Sequence, residues 1–508
     1  MANRKRDSGE WKALIEDLER RVAEARAMGG ADKLESRRAR GLLDARARID
    51  ALLDPDSFRE LGSLVGSREP GAVAADALVC GTGTIEGRAV LVGSEDFTSK
   101  GGSIGPGTHA KRVRVAQLAA QERVPLVMML EGAGERVTNA LERHAYAPND
   151  LQALADLSGL VPTVCLVMGP SAGHGALTAP LMDFVAIVEG AAIFSAGPPL
   201  VAASTGERVD AQELGGARMH AAESGVVHNA VASEREALQL ARRYLSYFPS
   251  NAWERPPQRP AQDEGPRRIE ELLDVVPADS RKPYDMRRVV ELVADRDSAL
   301  EIQPAYGDSI LTLLARLAGT PVAILANQPL VRAGAIDRPA ADKAAHFLEV
   351  ADAFHLPVVF LADNPGVMAG SAAERAGALR AGARLFFAQA QLRVPKLHVT
   401  LRKAFGFGSS VMAMNPFDRQ TLSLAFPGAT LGAMPAGGGA SAAGLDAKLR
   451  ERIESAESGG PWAAADALAF DEVIDPRELR NALLGGLQLA SRRTALGAEP
   501  VRRRGIRP

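Results

Sequence analysis

The chain has little cysteine, few aromatics, no excess of charge and no long apolar run, and each shortage excludes something. Two cysteines in 508 residues, Cys80 and Cys165, cannot build a disulfide framework or a four-cysteine zinc site. Sixty Lys and Arg against 62 Asp and Glu leave a formal charge of −2, so no basic field exists to hold nucleic acid. No apolar stretch reaches the roughly 18 residues of a membrane span. The opening MANRKRDSGEWKALIEDLERR is basic but has no apolar core behind it, so it does not read as a secretory signal. The eight histidines show no HExxH and no other paired ligand spacing, so no metal is expected. The expectation is a soluble protein of a reducing cytoplasm, partnered by neither nucleic acid nor membrane. What the chain does have is apolar material, 46% against 24% charged, enough to fold as a globular protein. It also has 49 glycines, which suits close backbone packing and special turns.

An internal repeat of long period organises the sequence. An offset of 232 aligns Gly87 with Gly319, Gly102 with Gly334, Ile104 with Ile336, Lys111 with Lys343, Pro125 with Pro357 and Gly134 with Gly366. An offset of 233 then pairs Val161-Pro162 with Val394-Pro395 and Gly173-His174-Gly175 with Gly406-Phe407-Gly408. Solenoid repeats are far shorter, so this is one fold present twice. Each copy alternates short apolar runs (residues 89–93, 125–130 and 163–169) with stretches of helical spacing (110–123 and 340–354). That order predicts an α/β fold with a largely parallel sheet in each copy. The expected domains are 1–251, with a charged helical lead-in at 10–50, and 269–508. A linker rich in Pro, Gln and charge, 252–268, joins them. Residues 461–493 read as helix–strand–helix, and the Arg-rich tail at 502–507 as disordered.

Both copies carry a strand, a Gly-x-Gly turn and a helix in that order. Helix N-terminal N–H groups lack intrahelical partners and carry partial positive charge, and glycine lets an oxyanion approach closely. The two turns are therefore two candidate oxyanion holes. Gly169-Pro170-Ser171-Ala172-Gly173 also matches the nucleophile elbow of serine hydrolases, with Asp183 and His220 as conceivable partners. The second copy has Ala404 where the first has Ser171, which disfavours that reading. Glu131-Gly132-Ala133-Gly134-Glu135-Arg136 follows a strand and suits a phosphate or a thioester, but lacks the lysine and spacing of a P-loop. His109, Lys111, Arg112 and Arg114 open a helix, and either meet a phosphate-bearing ligand or line a solvated face.

Several segments carry a resemblance: AMGGADKLESRRARGLLDARARIDALLDPDSF, EDFTSKGGSIGPGTHAKRVRVAQLA, FSAGPPLVAASTGERVDAQELGGARMH, RKPYDMRRVVE, EIQPAYG and ANQPLVRAGAIDRPAADKAAHF. Over about residues 15–495 the chain resembles the carboxyltransferase (β) subunit of biotin-dependent acyl-CoA carboxylases, the propionyl-CoA and methylcrotonyl-CoA group. The resemblance implies two crotonase-like ββα-superhelix domains, one for each copy. It implies biotin, arriving as carboxybiotin on a partner biotin carboxylase/carrier α subunit, and coenzyme A as part of the acyl-CoA substrate. It also implies a homohexamer in which the N-terminal half of one subunit and the C-terminal half of another share each active site. No side chain acts as general base in this family, so two oxyanion holes are the catalytic parts.

Carried over by motif position, Gly173 and His174 serve the acyl-CoA enolate, and Phe407 and Gly408 serve biotin. Gly132, Ala133, Gly134, Arg136, Gly175, Gly406 and Ser410 line the substrate. The chain departs from the family where His174 and Phe407 replace small residues, and where Ser410 replaces an acidic residue common in short-chain carboxylases. An acyl group bulkier than propionyl is therefore open. A decarboxylase subunit running the transfer backwards is the alternative reading. The chain lacks the four-cysteine cluster of the zinc-ribbon acetyl-CoA carboxylase β subunit. It also lacks the Ala-Met-Lys-Met biotinylation motif, since Ala413-Met414 is followed by Asn415.

Overall fold

A computed structural model describes residues 7–66, 75–137, 149–260, 265–415, 418–435, 443–495, 499–500 and 506. Contacts divide the chain into two compact units between Arg243 and Tyr244. The stretch 252–268, expected as a linker, belongs to the second unit, where its described part is held. Arg259 donates its N–H to the Gly319 carbonyl at 3.1 Å, and Arg316 donates to the Pro257 carbonyl at 3.0 Å. Apart from residue 506, the tail expected to be disordered lies outside the described residues.

The first unit is built on an eight-stranded sheet: β1 (Arg59–Leu61), β2 (Leu78–Ile85), β3 (Arg88–Glu95), β4 (Leu126–Gly132), β5 (Thr163–Ala172), β6 (Phe184–Val188), β7 (Ala192–Phe194) and β8 (Asn229–Val231). Their order is β1-β2-β3-β4-β5-β6-β8, with β7 added to β5. β2 and β3 form an antiparallel hairpin, and from β3 onward neighbours are parallel. The second unit repeats this plan with β9 (Leu300–Ile302), β10 (Ile310–Leu317), β11 (Thr320–Asn327), β12 (Val358–Asn364), β13 (Lys396–Phe405), β14 (Leu422–Ala425), β15 (Thr430–Gly432) and β16 (Glu472–Val473). Its order is β9-β10-β11-β12-β13-β14-β16, with β15 on β13. Even the irregularities match. Register slips between Leu130 and Gly132 on β4 and between Ala362 and Asn364 on β12. Isolated bridges join Ile104 to Glu135 and Ile336 to Val367. This is the crotonase-like architecture, present twice.

Strands covered on both faces read as continuous apolar runs, and β4 to β6 and β10 to β13 are buried nearly throughout. In the second unit Leu313, Val359, Leu397 and Leu424 pack against Val289, Leu479 and Leu483. Each such side chain contributes about 1.5–3 kcal/mol by leaving water. The crossover helices start where local chemistry allows. Pro106 opens Pro106–Glu122 behind Gly105, and Asp337 caps Arg338–Ala353 by accepting the Ala340 N–H at 3.0 Å.

The charged lead-in of the first unit is tied down by buried ion pairs. Arg37 grips Glu131 at the end of β4 with two bonds of 2.8 and 2.9 Å, and Arg48 joins Glu131 to Glu234. Burial alone raises the Glu131 pKa, but the charges and hydrogen bonds of Arg48 and Arg37 outweigh it and hold the carboxyl low. No helix among the described residues is long and apolar enough to cross a membrane.

Candidate active site

The first glycine turn follows directly on β5. Gly173 opens the short helix Gly173–Ala176 with φ +59°, a backbone conformation that L side chains rarely adopt. A Cβ on Gly173 meets nothing nearer than the Ser195 carbonyl at 3.8 Å, so conformation, not space, demands glycine there. Gly173 and His174 are partly exposed, and Gly175 is buried beside Glu95 and Ile104. The segment Gly132–Gly134 reaches this turn through close backbone contact: a Cβ on Gly134 comes within 2.7 Å of the Ala172 carbonyl. Ala133 is exposed and donates its N–H to the Gly101 carbonyl at 2.9 Å. Arg136 is held by Asp76 and by Ser103, so its guanidinium braces the loop from within.

The second turn repeats the geometry with different surroundings. Gly406 opens Gly406–Val411 at φ +52° directly after β13. Phe407 is 40% exposed and packs on Phe386, ring centroids 5.6 Å apart. Gly408 is required by crowding, because a Cβ there falls 2.2 Å from Asn364 Oδ1 and 2.7 Å from the Gly366 Cα. Ser410 is half-buried and pairs with Asn415 Oδ1 at 3.0 Å. Nearby Asp363 is occupied by Arg402 and the Tyr284 hydroxyl, at 2.7 and 2.9 Å.

Behind the first turn lies a polar chain that no sequence spacing announces. His174 Nε2 is 2.5 Å from Asp150 Oδ1, and His109 Nδ1 is 3.5 Å from the same oxygen. Arg112 Nε donates to Asp150 Oδ2 at 2.6 Å, and its Nη1 to Glu95 Oε1 at 3.0 Å. A further bond links Arg112 to the Thr178 hydroxyl. Burial raises the Asp150 pKa, but the His174 hydrogen bond and the Arg112 charge prevail and hold it below the carboxylate range. Burial pushes Glu95 upward.

One expectation changes here. Arg112 and Lys111 are buried, and Lys111 donates to the carbonyls of Ala75 and Leu78, both at 2.6 Å. These two neither line a solvated face nor reach for a phosphate, whereas Arg114 does face solvent. Ser171 is fully buried, and its Oγ has no partner among the described residues. A nucleophile elbow needs that oxygen exposed at the top of the sheet.

Doubled mixed sheets, parallel from their third strand on, with a glycine turn after the fifth strand of each, set the class, and comparison with known proteins sets the family. The model of the carboxyl transferase domain matches residues 36–505. The propionyl-CoA carboxylase beta chain of Roseobacter denitrificans is 37% identical over 486 residues, 92% of this chain and 95% of the relative. The methylmalonyl-CoA decarboxylase subunit alpha of Veillonella parvula is 35% identical, over 94% of this chain and 96% of the relative. A solved structure of the hexameric transcarboxylase 12S core, with hydrolysed methylmalonyl-coenzyme A bound, superposes with a TM-score of 0.88 at 34% identity. The match covers 97% of this chain and 98% of that one. The chain belongs to the carboxyl transferase domain family and is an enzyme of the carboxyltransferase type.

Proposed function

We propose that the chain is the carboxyltransferase subunit of a biotin-dependent acyl-CoA carboxylase, moving a carboxyl group to the α carbon, or a vinylogous γ carbon, of an acyl-CoA. The observation that carries this is the duplicated glycine turn, at positive φ in both units and at the same point of the same topology. Two developing oxyanions, one on each reactant, call for two sets of preorganised N–H donors. The backbone of Gly173 and His174 serves the thioester enolate, with Gly132, Ala133, Gly134 and Gly175 shaping the approach and Arg136 bracing it. The backbone of Phe407 and Gly408 serves the biotin ureido oxygen, with Gly406 setting the turn. The second turn fits that group: its donors lead a helix, and the nearby Asp363 carboxylate is already paired with Arg402 and Tyr284. Biotin, brought in by a carboxylase/carrier subunit, supplies the carboxyl group. Ser410, neutral and half-buried, leaves the acyl choice open toward groups larger than propionyl.

In this reading each site combines the N-terminal unit of one subunit with the C-terminal unit of another in a homohexamer. The similarity to a decarboxylase subunit over nearly its whole length favours one second reading, the reverse transfer from a malonyl-type thioester. One assay separates them. The chain alone, given ATP, bicarbonate and an acyl-CoA panel, is expected to form no carboxylated product. Adding a biotin carboxylase/carrier subunit is expected to produce it. Product from the chain alone overturns the two-component reading, and CO₂ release coupled to a membrane partner, without ATP-driven carboxylation, supports the decarboxylase.

A further inference from the structure

His109, Asp150 and His174 come from three separate helices: the first turn of Pro106–Glu122, the start of Asp150–Ala155 and the first turn of Gly173–Ala176. Each offers one ligand atom, and the three atoms lie within 4.8 Å of one another. The second unit shows that the fold does not require them. The counterparts of His109 and His174 are Ala341 and Phe407, and that of Asp150, which falls between the two offset blocks, is Gly382 or Ala383. Gly382 abuts the Phe407 ring, 3.2 Å from a Cβ to Phe407 Cε1, as Asp150 abuts His174. Two imidazoles and a carboxylate have thus been placed where apolar groups serve the same backbone.

The surroundings are those of a ligand set. Asp150 is fully buried and supplies the negative charge. Arg112 fixes its Oδ2 and so turns Oδ1 toward the two imidazoles, as an outer-shell partner does for a ligating carboxylate. The imidazole side chains are 26% and 22% exposed, so an ion and its water can reach them. Two imidazoles with one carboxylate and no thiolate suit a borderline divalent first-row ion, with a fourth position left to water. Bonds of about 2.0–2.2 Å require the ring nitrogens to shift by about an ångström, which partly exposed side chains allow.

We propose that His109, Asp150 and His174 form a binding site for a divalent transition-metal ion of the zinc class, beside the first glycine turn. Binding does not depend on the carboxyltransferase reading, so it is read directly rather than through turnover.

The chelator-treated full chain is titrated with Co²⁺, followed by visible absorption and calorimetry, and Zn²⁺ is then added in competition. Expected are about one Co²⁺ per chain, absorption bands of a protein-bound ion, and their loss on adding Zn²⁺. Two variants copy the second unit, His109→Ala and His174→Phe, so each puts in a residue the fold already tolerates at that place. Each is expected to weaken Co²⁺ binding by at least about 10-fold, with His109→Ala melting within a few degrees of the parent and His174→Phe lower, since it takes a hydrogen-bond partner from the buried Asp150. Asp150→Asn is the third test, scored only if it folds. Absence of stoichiometric binding, or binding that both histidine variants leave intact, overturns the site and leaves a hydrogen-bonded imidazole–carboxylate pair alone.

Discussion

Behind the glycine turn of the first unit stands a polar line, the buried Glu95, Arg112 and Asp150 and the partly exposed His174. At the equivalent positions of the second unit stand Asn327, Ala344, Gly382 or Ala383, and Phe407. The backbone is the same, with a register slip, a glycine at positive φ and a helix in each. The fillings differ in risk. A buried polar network holds only if every member is paired, and losing one partner strands the rest. At the second turn Asn327 still accepts from the Asp363 N–H and the Asn364 amide, both at 3.1 Å, whereas Phe407 packs by contact on Phe386. The comparison separates the glycine turn, which both units keep, from the side chains that one unit has added behind it.

The largest effect is expected from blocking the turns themselves. Gly173→Val and Gly408→Val should each lower turnover with the partner subunit by about 10²–10³, the worth of an oxyanion donor. Their stabilities should diverge. Gly173 has room for a Cβ and its strain comes from φ, whereas a Cβ on Gly408 collides with Asn364 and Gly366. Thermal melts should therefore place Gly408→Val below Gly173→Val, by about 1–3 kcal/mol of overpacking. Equal melts would break the contrast.

Asp150→Asn should destabilise the chain by about 3 kcal/mol, because it removes a buried charge facing Arg112 and His174. Gly382→Ala, at the matching place, should cost less than about 1 kcal/mol if the Phe407 ring yields a few tenths of an ångström. Denaturant unfolding of both variants checks the pair, and a harmless Asp150→Asn would show that the polar line does not hold the first turn.

Acid should loosen the second unit through a group that the matching strand of the first does not have. His398 is fully buried, its ring nitrogens near the Met412 carbonyl and the Thr400 hydroxyl, each at 2.8 Å, and burial lowers its pKa from 6.5 to about 4. Its counterpart in the first unit is Cys165. As pH falls, the unfolded chain takes the proton first. The stabilisation is therefore whole above about pH 6.5 and is lost progressively toward pH 4, about 3 kcal/mol in all. Hydrogen-exchange protection measured at about pH 5 and about pH 7.5 should fall more in β13 than in β5. A parallel fall in both strands would argue against His398 as the cause.

Ser171→Ala should have the smallest effect. Its hydroxyl is buried with no partner among the described residues, and Ala404 already fills the matching place. Removing an unsatisfied buried hydroxyl is expected to change stability by less than about 1 kcal/mol and in the favourable direction. Activity should stay within about twofold. A loss as large as that of Gly173→Val would return the serine to the mechanism.

Much of this was legible in the sequence, for local reasons. The offset of the repeat, the apolar runs of β3 to β5 and the helical spacing at 110–123 and 340–354 depend on periodicities that operate within a few residues. So do the two Gly-x-Gly turns, because positive φ is a property of the residue itself. The boundary between the units was less legible, since the Pro-rich stretch after residue 251 reads as a spacer, yet its carbonyls and N–H groups bond to the second unit. The polar line was not legible at all. Arg112 meets Asp150 across 38 positions, Thr178 across 66 and Glu95 across 17, and nothing in those spacings marks them as neighbours.

Composition, repeat and turn chemistry by themselves determined that the chain is two copies of one α/β unit with a glycine turn in each. Only the tertiary structure decided that Lys111 and Arg112 face inward, that Ser171 is out of reach, and that His109 and His174 converge on Asp150. The physical reason is the range of the interactions. Backbone conformation and amphipathic period are fixed by near neighbours, whereas burial, ion pairing and ligand geometry depend on which distant segments the sheet brings side by side.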